Sequence, residues 1–398
     1  MSCMGAYHSL QSVQIAGPNR EGEPKIRYIP YARQWIDEDD IKAVIAVLRS
    51  DWLTTGPMVE KFEQAFADYV GTKYAVAVSS GTAALHAAMF AIGIGPEDEV
   101  IVPSMTFVAT ANGVVFRGGS PIFADVDPDT LLIDPQQVEE KITSRTRAII
   151  AVDYAGQPCD YDVLRSITKK HDLVLIADAC HALGAQYKNK NVGMLADLTV
   201  FSFHPVKHIT TGEGGMITTD DPDLAERMRR FRNHGIDADH ARRAEQGTWR
   251  YEMTALGYNY RITDFQSALG LSQVAKLPSF LHRRWEIAGM YDQAFASAKG
   301  INPLYTSPDV VNSYHLYVIR VKERDRLFAQ LRRKGIGVNV HYFPVHLQPY
   351  YRKTFGTSEG LCPNTEKVYK QILSLPIFPQ MNDNDIERVV TAVEEVLN

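Results

Sequence analysis

The chain has 398 residues, of which 45% are hydrophobic and 22% charged, an ordinary globular composition that excludes a disordered, collagen-like or disulfide-scaffold protein. Forty-two basic residues against 47 acidic ones leave a formal charge of −5, so nothing electrostatic favours a nucleic-acid or anionic-membrane partner. The four cysteines, Cys3, Cys159, Cys180 and Cys362, are far apart and show neither CxxC pairing nor zinc spacing, which fits a reducing, cytoplasmic compartment.

Residues 1–28 read as a polar leader. Gly17, Pro18, Gly22 and Pro24 punctuate it without periodicity, and it lacks the apolar centre of a signal peptide. No later stretch approaches the ~18 apolar residues of a membrane span. From residue 29 short apolar runs alternate with amphipathic segments. The predicted strands are Tyr74–Val78, Glu99–Val102, Pro121–Ala124, Ala148–Val152, Leu173–Ala177, Leu198–Phe203 and Met216–Thr219. Between most of them lie stretches with helical spacing, such as Thr82–Ile92 and Asp160–Lys170, and this rhythm predicts an α/β fold with a mainly parallel sheet covered on both faces. After about residue 275 the pattern changes to a long helix, Leu281–Ser297, a strand, Tyr314–Val321, and helices Asp325–Lys334 and Asn384–Leu397. The expected organisation is a large domain over 29–275 and a smaller α+β domain over 276–398.

Candidate chemistry collects at the ends of these strands, where open α/β sheets place their ligands. Ser79, Ser80, Gly81 and Thr82 follow the first strand and open a helix. Glycine admits close approach, and free amides at a positive helix end favour a phosphate, although a simple N-cap is the plainer reading of a lone serine or threonine. Asp178 ends the strand Leu173–Ala177, where a carboxylate is costly to bury unless a cation faces it, such as a protonated pyridine nitrogen, an arginine or a metal. A turn or helix cap remains open for it. His181 follows three residues later. The segment Phe201 to Gly215 holds Lys207 among aromatics, hydroxyls and glycines between two apolar strands. A lysine partly buried there can lose its proton, and only the neutral amine attacks an aldehyde. A surface-loop lysine is the alternative that this segment alone leaves.

Taken together, Ser-Gly-Thr at 80–82, Thr-Phe at 106–107, Asp178 with His181, the segment Ser202–Gly215 around Lys207, and Gly-Tyr-Asn-Tyr-Arg at 257–261 followed by Asp264 and Gln266 resemble the DegT family of sugar aminotransferases, from about residue 28 to the C-terminus. The resemblance implies the type I fold of pyridoxal-phosphate-dependent transferases, with a seven-stranded, mainly parallel sheet, and implies pyridoxal 5'-phosphate as cofactor. Lys207 would then be the lysine joined to the cofactor and the acid and base of the proton shift, and Asp178 would keep the pyridine nitrogen protonated. Phe107 would stack on the ring and His181 would lie close to it, in a position where glutamine is common. Gly81, Thr82 and Ser202 would hold the phosphate with Asn259 of the other subunit, which implies a homodimer with shared active sites. A related group of sugar dehydratases carries histidine in place of the lysine, so Lys207 favours transamination.

The stretches Val152–Gly156, His181–Gly184 and Asn233–Gly235 look most like enzymes that aminate C4 of a UDP-linked 4-keto-6-deoxy-N-acetylhexosamine toward pseudaminic acid, with L-glutamate as donor. Enzymes of 4-amino-arabinose and perosamine are nearly as similar. Tyr154, His341 and Tyr342 are candidates for sugar or diphosphate contact, and Arg250 and Arg261 for a diphosphate or the glutamate carboxylate, since a planar guanidinium suits both. Two other classes are weighed. A regulatory pyridoxal-phosphate binder is disfavoured by Lys207, Asp178 and Asn259, and a nucleotide-dependent oxidoreductase by the lack of GxGxxG after the first strand.

Overall fold

The seven apolar runs lie together in one sheet of the computed structural model, which describes residues 27–237, 243 and 247–397. In chain order its strands are β1 (Tyr74–Val78), β2 (Glu99–Pro103), β3 (Ser120–Ala124), β4 (Thr146–Val152), β5 (Val174–Asp178), β6 (Leu198–Ser202) and β7 (Gly215–Thr219). They are arranged β1-β7-β6-β5-β4-β2-β3. Strand β7 runs antiparallel to both neighbours, and every other pairing is parallel. This is the fold of the expected class. Alternate residues of each strand enter separate cores: Ile149, Leu175 and Phe201 pack on one face, Ile150, Ile176 and Val200 on the other. Two-sided burial is why these strands are apolar throughout rather than alternating.

The helix Gly81–Ala91, GTAALHAAMFA, is buried on almost every side. Its alanines let it lie close to the strands while retaining high helix propensity. Phe62 and Phe66, on the helix Pro57–Val70, interlock with Phe201 and Phe203; the ring centres of Phe66 and Phe201 are 5.0 Å apart. Phe201 and Phe203 begin the segment that carries Lys207, so this cluster anchors its N-terminal side.

The predicted helix Leu281–Ser297 is only the second half of a helix spanning Asp264–Phe295. The Cβ that Gly270 lacks would meet the Phe62 ring at 2.6 Å, so glycine is there for close packing, and Pro278 lies inside the helix. The helix starts at a capping box of Thr263 and Gln266. The expected domain boundary at 275/276 falls inside it, and the helix joins the two parts of the chain. Beyond it, Asn302–Pro303, Tyr317–Arg320 and Ile372–Leu375 form a small antiparallel sheet, packed with helices Arg324–Arg333 and Asp383–Leu397 around a third core. The strand expected at Tyr314–Val321 shortens to Tyr317–Arg320, because Tyr314 adopts a positive φ of 47° and Leu316 donates its amide to Ala155 instead. Of the expected leader, residues 1–26 lie outside the described residues; Arg27 pairs with Asp385 at 3.1 Å.

Phe66→Ala should destabilise the protein by about 3–5 kcal/mol, since it removes a fully buried ring from this cluster. Urea denaturation measures it, and a loss below about 1 kcal/mol would show that the cluster is not close-packed.

Candidate active site

Lys207 stands in a loop held shut at its base. Phe203 donates its amide to Gly214 O at 2.9 Å and receives the amide of Thr211 and the hydroxyl of Thr210 on its own carbonyl at 3.1 and 2.9 Å. Gly212, at φ +80°, turns the chain back, with its amide on Thr210 Oγ1. The lysine itself is half-buried. Burial pushes its amine below the ordinary value of 10.5, while the nearby Cys180 and Asp178 oppose the shift. The loop thereby favours a larger fraction of neutral, nucleophilic amine than an exposed lysine offers.

Asp178 is the last residue of β5 and is 6% exposed. Its Oδ2 accepts the Thr110 hydroxyl at 2.7 Å and its Oδ1 the Cys180 amide at 3.3 Å. Thr110 is oriented in turn by Thr106 at 2.7 Å. Among the described residues Asp178 makes no ion pair with an arginine, lysine or histidine, so its donors are neutral and its charge can still meet a cation. The turn-cap alternative is partly present in the Cys180 contact, without accounting for the burial.

The helix Gly81–Ala91 opens beside these two groups. Ser80 is its N-cap, accepting the Ala83 amide at 3.0 Å, while the amides of Gly81 and Thr82 have no protein acceptor among the described residues. Ser202, the final residue of β6, packs against Gly81: a Cβ on that glycine would come within 3.0 Å of Ser202 Cβ and 3.4 Å of Cys180 Sγ. Gly215 is constrained more severely, because a Cβ there would meet Ser80 O at 2.5 Å. Two free amides and a hydroxyl at a helix N-terminus form an anion cradle.

One wall is aromatic. Phe107, the N-cap residue of the helix Val108–Val115, is 55% exposed, and its ring lies 5.9 Å from that of Tyr342. Tyr342 Oη is 2.8 Å from His181 Nε2. Burial, followed by the Lys207 charge, holds the imidazole of His181 well below its ordinary pKa, and burial raises the Tyr342 phenol well above its own.

The remaining expected residues divide. Tyr154 has no exposed surface, and its hydroxyl donates to the His341 carbonyl, so it offers no surface for the sugar or diphosphate contact expected of it. His341 is 6% exposed, with Nδ1 2.8 Å from Ser374 Oγ and Nε2 3.2 Å from Asn339 Nδ2. Burial pushes its pKa down to about 3, so it enters as a neutral support for Tyr342. Arg261 donates to Asn233 Oδ1 at 2.7 Å, and Arg250 is exposed and paired with Glu252 at 2.9 Å. Neither is brought into hydrogen-bond contact with Lys207, Asp178 or the cradle. Asn259 is exposed and pairs through its backbone with Asn233, while its neighbour Tyr260 accepts the Ser79 amide at 2.8 Å.

Sequence reasoning missed Thr110, Ala155 and His315. The i, i+4 spacing of Thr106 and Thr110 was available as a signal. His315 packs on His181 with ring centres 4.4 Å apart and comes from a distant part of the chain, which no local pattern reveals.

The profile of the DegT/DnrJ/EryC1/StrS aminotransferase family matches residues 34–394. The spore coat polysaccharide biosynthesis protein SpsC of Bacillus subtilis is 42% identical over 93% of this chain and 97% of its own. Among solved structures, the putative sugar aminotransferase Spr1654 of Streptococcus pneumoniae in its PMP form superposes with a TM-score of 0.88 at 34% identity, over 92% of this chain and 98% of that one. Its PLP form gives 0.87. Helicobacter pylori PseC, an aminotransferase involved in the biosynthesis of pseudoaminic acid, gives 0.87 at 34% identity over 93% and 99% of the two chains.

The lowered pKa of Lys207 predicts that, in cofactor-free protein, labelling by an amine-selective reagent rises with pH to a midpoint below 10.5. Peptide mass spectrometry follows that residue against exposed lysines. A midpoint at or above the ordinary value would contradict its desolvation.

Proposed function

The chain belongs to the DegT/DnrJ/EryC1/StrS aminotransferase family, and on that premise we propose that it transfers the amino group of L-glutamate to C4 of a UDP-linked 4-keto-6-deoxy-N-acetylhexosamine, in making an amino sugar of the pseudaminic acid type. It is a pyridoxal-phosphate-dependent sugar aminotransferase of class EC 2.6.1. The observation that carries the proposed residue roles is the half-buried Lys207 amine beside Asp178, with a cradle at Gly81 and Thr82 whose amides have no acceptor among the described residues.

These residues fit pyridoxal phosphate. Gly81, Thr82 and Ser202 would hold its phosphate, Phe107 would cover one ring face, and the buried carboxylate of Asp178 would accept from the ring N–H. Once bound, the cofactor supplies an electron sink conjugated with the carbon that loses its proton. Lys207 has the two remaining tasks. Its amine, neutral in a larger fraction than an exposed lysine's, would hold the cofactor's aldehyde group and would serve as the base and acid that moves a proton between two carbons. Asp178 would serve both the glutamate and the sugar halves, by holding the ring nitrogen's proton in each. Tight closure of the lysine loop limits the positions the amine can reach, which favours proton return to one face.

The sugar assignment is supported by the likeness to PseC at 34% identity and by the stretches Val152–Gly156 and His181–Gly184. A UDP-4-keto-arabinose, GDP-perosamine-type or dTDP sugar is the alternative substrate. Dimerisation is supported by Trp249, Met253 and Leu256, exposed at 87%, 66% and 71% on the segment that leads to Asn259. Reaction on a nucleotide sugar fits a cytoplasmic enzyme. Among the described residues no helix is long and apolar enough to cross a membrane.

Lys207→Ala should lose the visible absorbance of the cofactor-loaded protein and its turnover; a variant with normal turnover would remove the lysine from the mechanism. Asp178→Asn should retain cofactor and lose at least about a hundredfold in rate, as expected for removal of a charge-assisted contact made to the reacting system. Incubation with glutamate and a panel of UDP, GDP and dTDP 4-keto and 3-keto sugars, followed by product mass, tests the substrate. Amination confined to 3-keto sugars would refute the C4 assignment.

A further inference from the structure

A hydrogen-bond chain in the wall of the cleft has a direction that can be read from its first member. The amide of Ala155, which can only donate, points to His181 Nδ1 at 3.3 Å. Nδ1 is therefore a lone pair, and in a neutral imidazole the proton lies on Nε2. That nitrogen is 2.8 Å from Tyr342 Oη, so the imidazole donates and the phenol oxygen accepts. The phenol's own proton remains. Among the described residues no second acceptor lies within hydrogen-bond distance of Tyr342 Oη.

The turn that presents the Ala155 amide is rigidly placed. Ala155 has φ +61° and Gly156 φ +108°, and a Cβ on Gly156 would meet Tyr314 N at 2.7 Å. Ser313 Oγ donates to the carbonyl of His181 at 3.2 Å, which fixes the other side of the imidazole's backbone. The groups that face the imidazole are Lys207, His341, His208 and His315, and those that face the phenol are Tyr154, Asp178, Cys180 and Tyr31. With the imidazole neutral and the phenol protonated across the working pH range, the direction of the chain does not reverse.

We propose that Tyr342 is a hydrogen-bond donor of this cleft, its proton directed by His181 onto an electron-rich oxygen of a bound molecule, and that His181 is a positioning residue acting through it. The oxygen belongs to the cofactor ring or to the sugar. His181 would lie close to the ring without donating to it, since its single proton is committed to Tyr342. The inference rests on the aminotransferase reading of the site, but its first test does not.

In purified protein labelled with [15N]histidine, nuclear magnetic resonance should show His181 protonated at Nε2 and bare at Nδ1. A proton on Nδ1 would overturn the proposal and leave the aminotransferase assignment untouched. Tyr342→Phe retains the ring and removes only the donor. If the oxygen is the cofactor's, the pH midpoint of the loaded protein's visible absorbance rises by about one unit, because an oxygen that loses a donor binds its proton more tightly. If it is the sugar's, the midpoint holds and KM for the keto sugar rises about tenfold, while the glutamate half-reaction is unchanged. An unchanged midpoint together with an unchanged sugar KM overturns the proposal. Failure of the aminotransferase reading would look different: glutamate would not bleach the absorbance of the parent protein.

Discussion

An amine deprived of part of its hydration beside a buried carboxylate that has no ion pair among the described residues is the arrangement on which this site depends. Exposed, Lys207 would be an ordinary ammonium ion with no nucleophilic character at neutral pH. Paired tightly to Asp178, it would be held charged. The structure avoids both: the loop buries the amine enough to lower its pKa, and Asp178 is satisfied by the Thr110 hydroxyl and the Cys180 amide. These neutral donors hold the carboxylate in place and leave its charge available to a ring nitrogen.

The fold makes this arrangement rigid through backbone constraints more than through the reactive side chains. Asp178 and Ser202 both end strands, β5 and β6, that are parallel neighbours, so their positions follow from the sheet. Gly215 opens β7 where any Cβ would strike the backbone of Ser80. The cradle and the end of the lysine loop are therefore packed against one another. Asp264 reaches across to accept the amides of Gly56 and Met58 at 2.8 and 2.9 Å, and Gln266 donates to Glu213 O at 2.9 Å. Residues that resembled a family signature in the sequence thus act here as ties between the long helix, the start of the Pro57–Val70 helix and the lysine loop.

The sheet was legible because each of its strands is buried on both faces and so reads as an unbroken apolar run. Gly81, Asp178 and Lys207 were legible for a related reason: a glycine, a carboxylate and a lysine are conspicuous at the ends of such runs. What escaped the sequence is contact between distant segments. Tyr154 follows a strand like the site residues do, yet it packs inward because the His341 carbonyl offers its hydroxyl a buried acceptor. The predicted helix covers only the second half of the long one; the first half carries Gly270 and Pro278, which local propensity disfavours, whereas packing on Phe62 makes the glycine necessary. His315 meets His181 only after the two parts of the chain have come together, and the Ala155 amide reaches it across 26 residues of the first part.

The central claim is that the amine at position 207 holds the cofactor, and the most direct measurement is chemical fixation in place. The purified, coloured protein is reduced with borohydride, digested and mapped by mass spectrometry. The account predicts a phosphopyridoxyl adduct on the peptide containing Lys207 and on no other lysine peptide. An adduct at a different lysine, or full cofactor content with no covalent adduct after reduction, would contradict it.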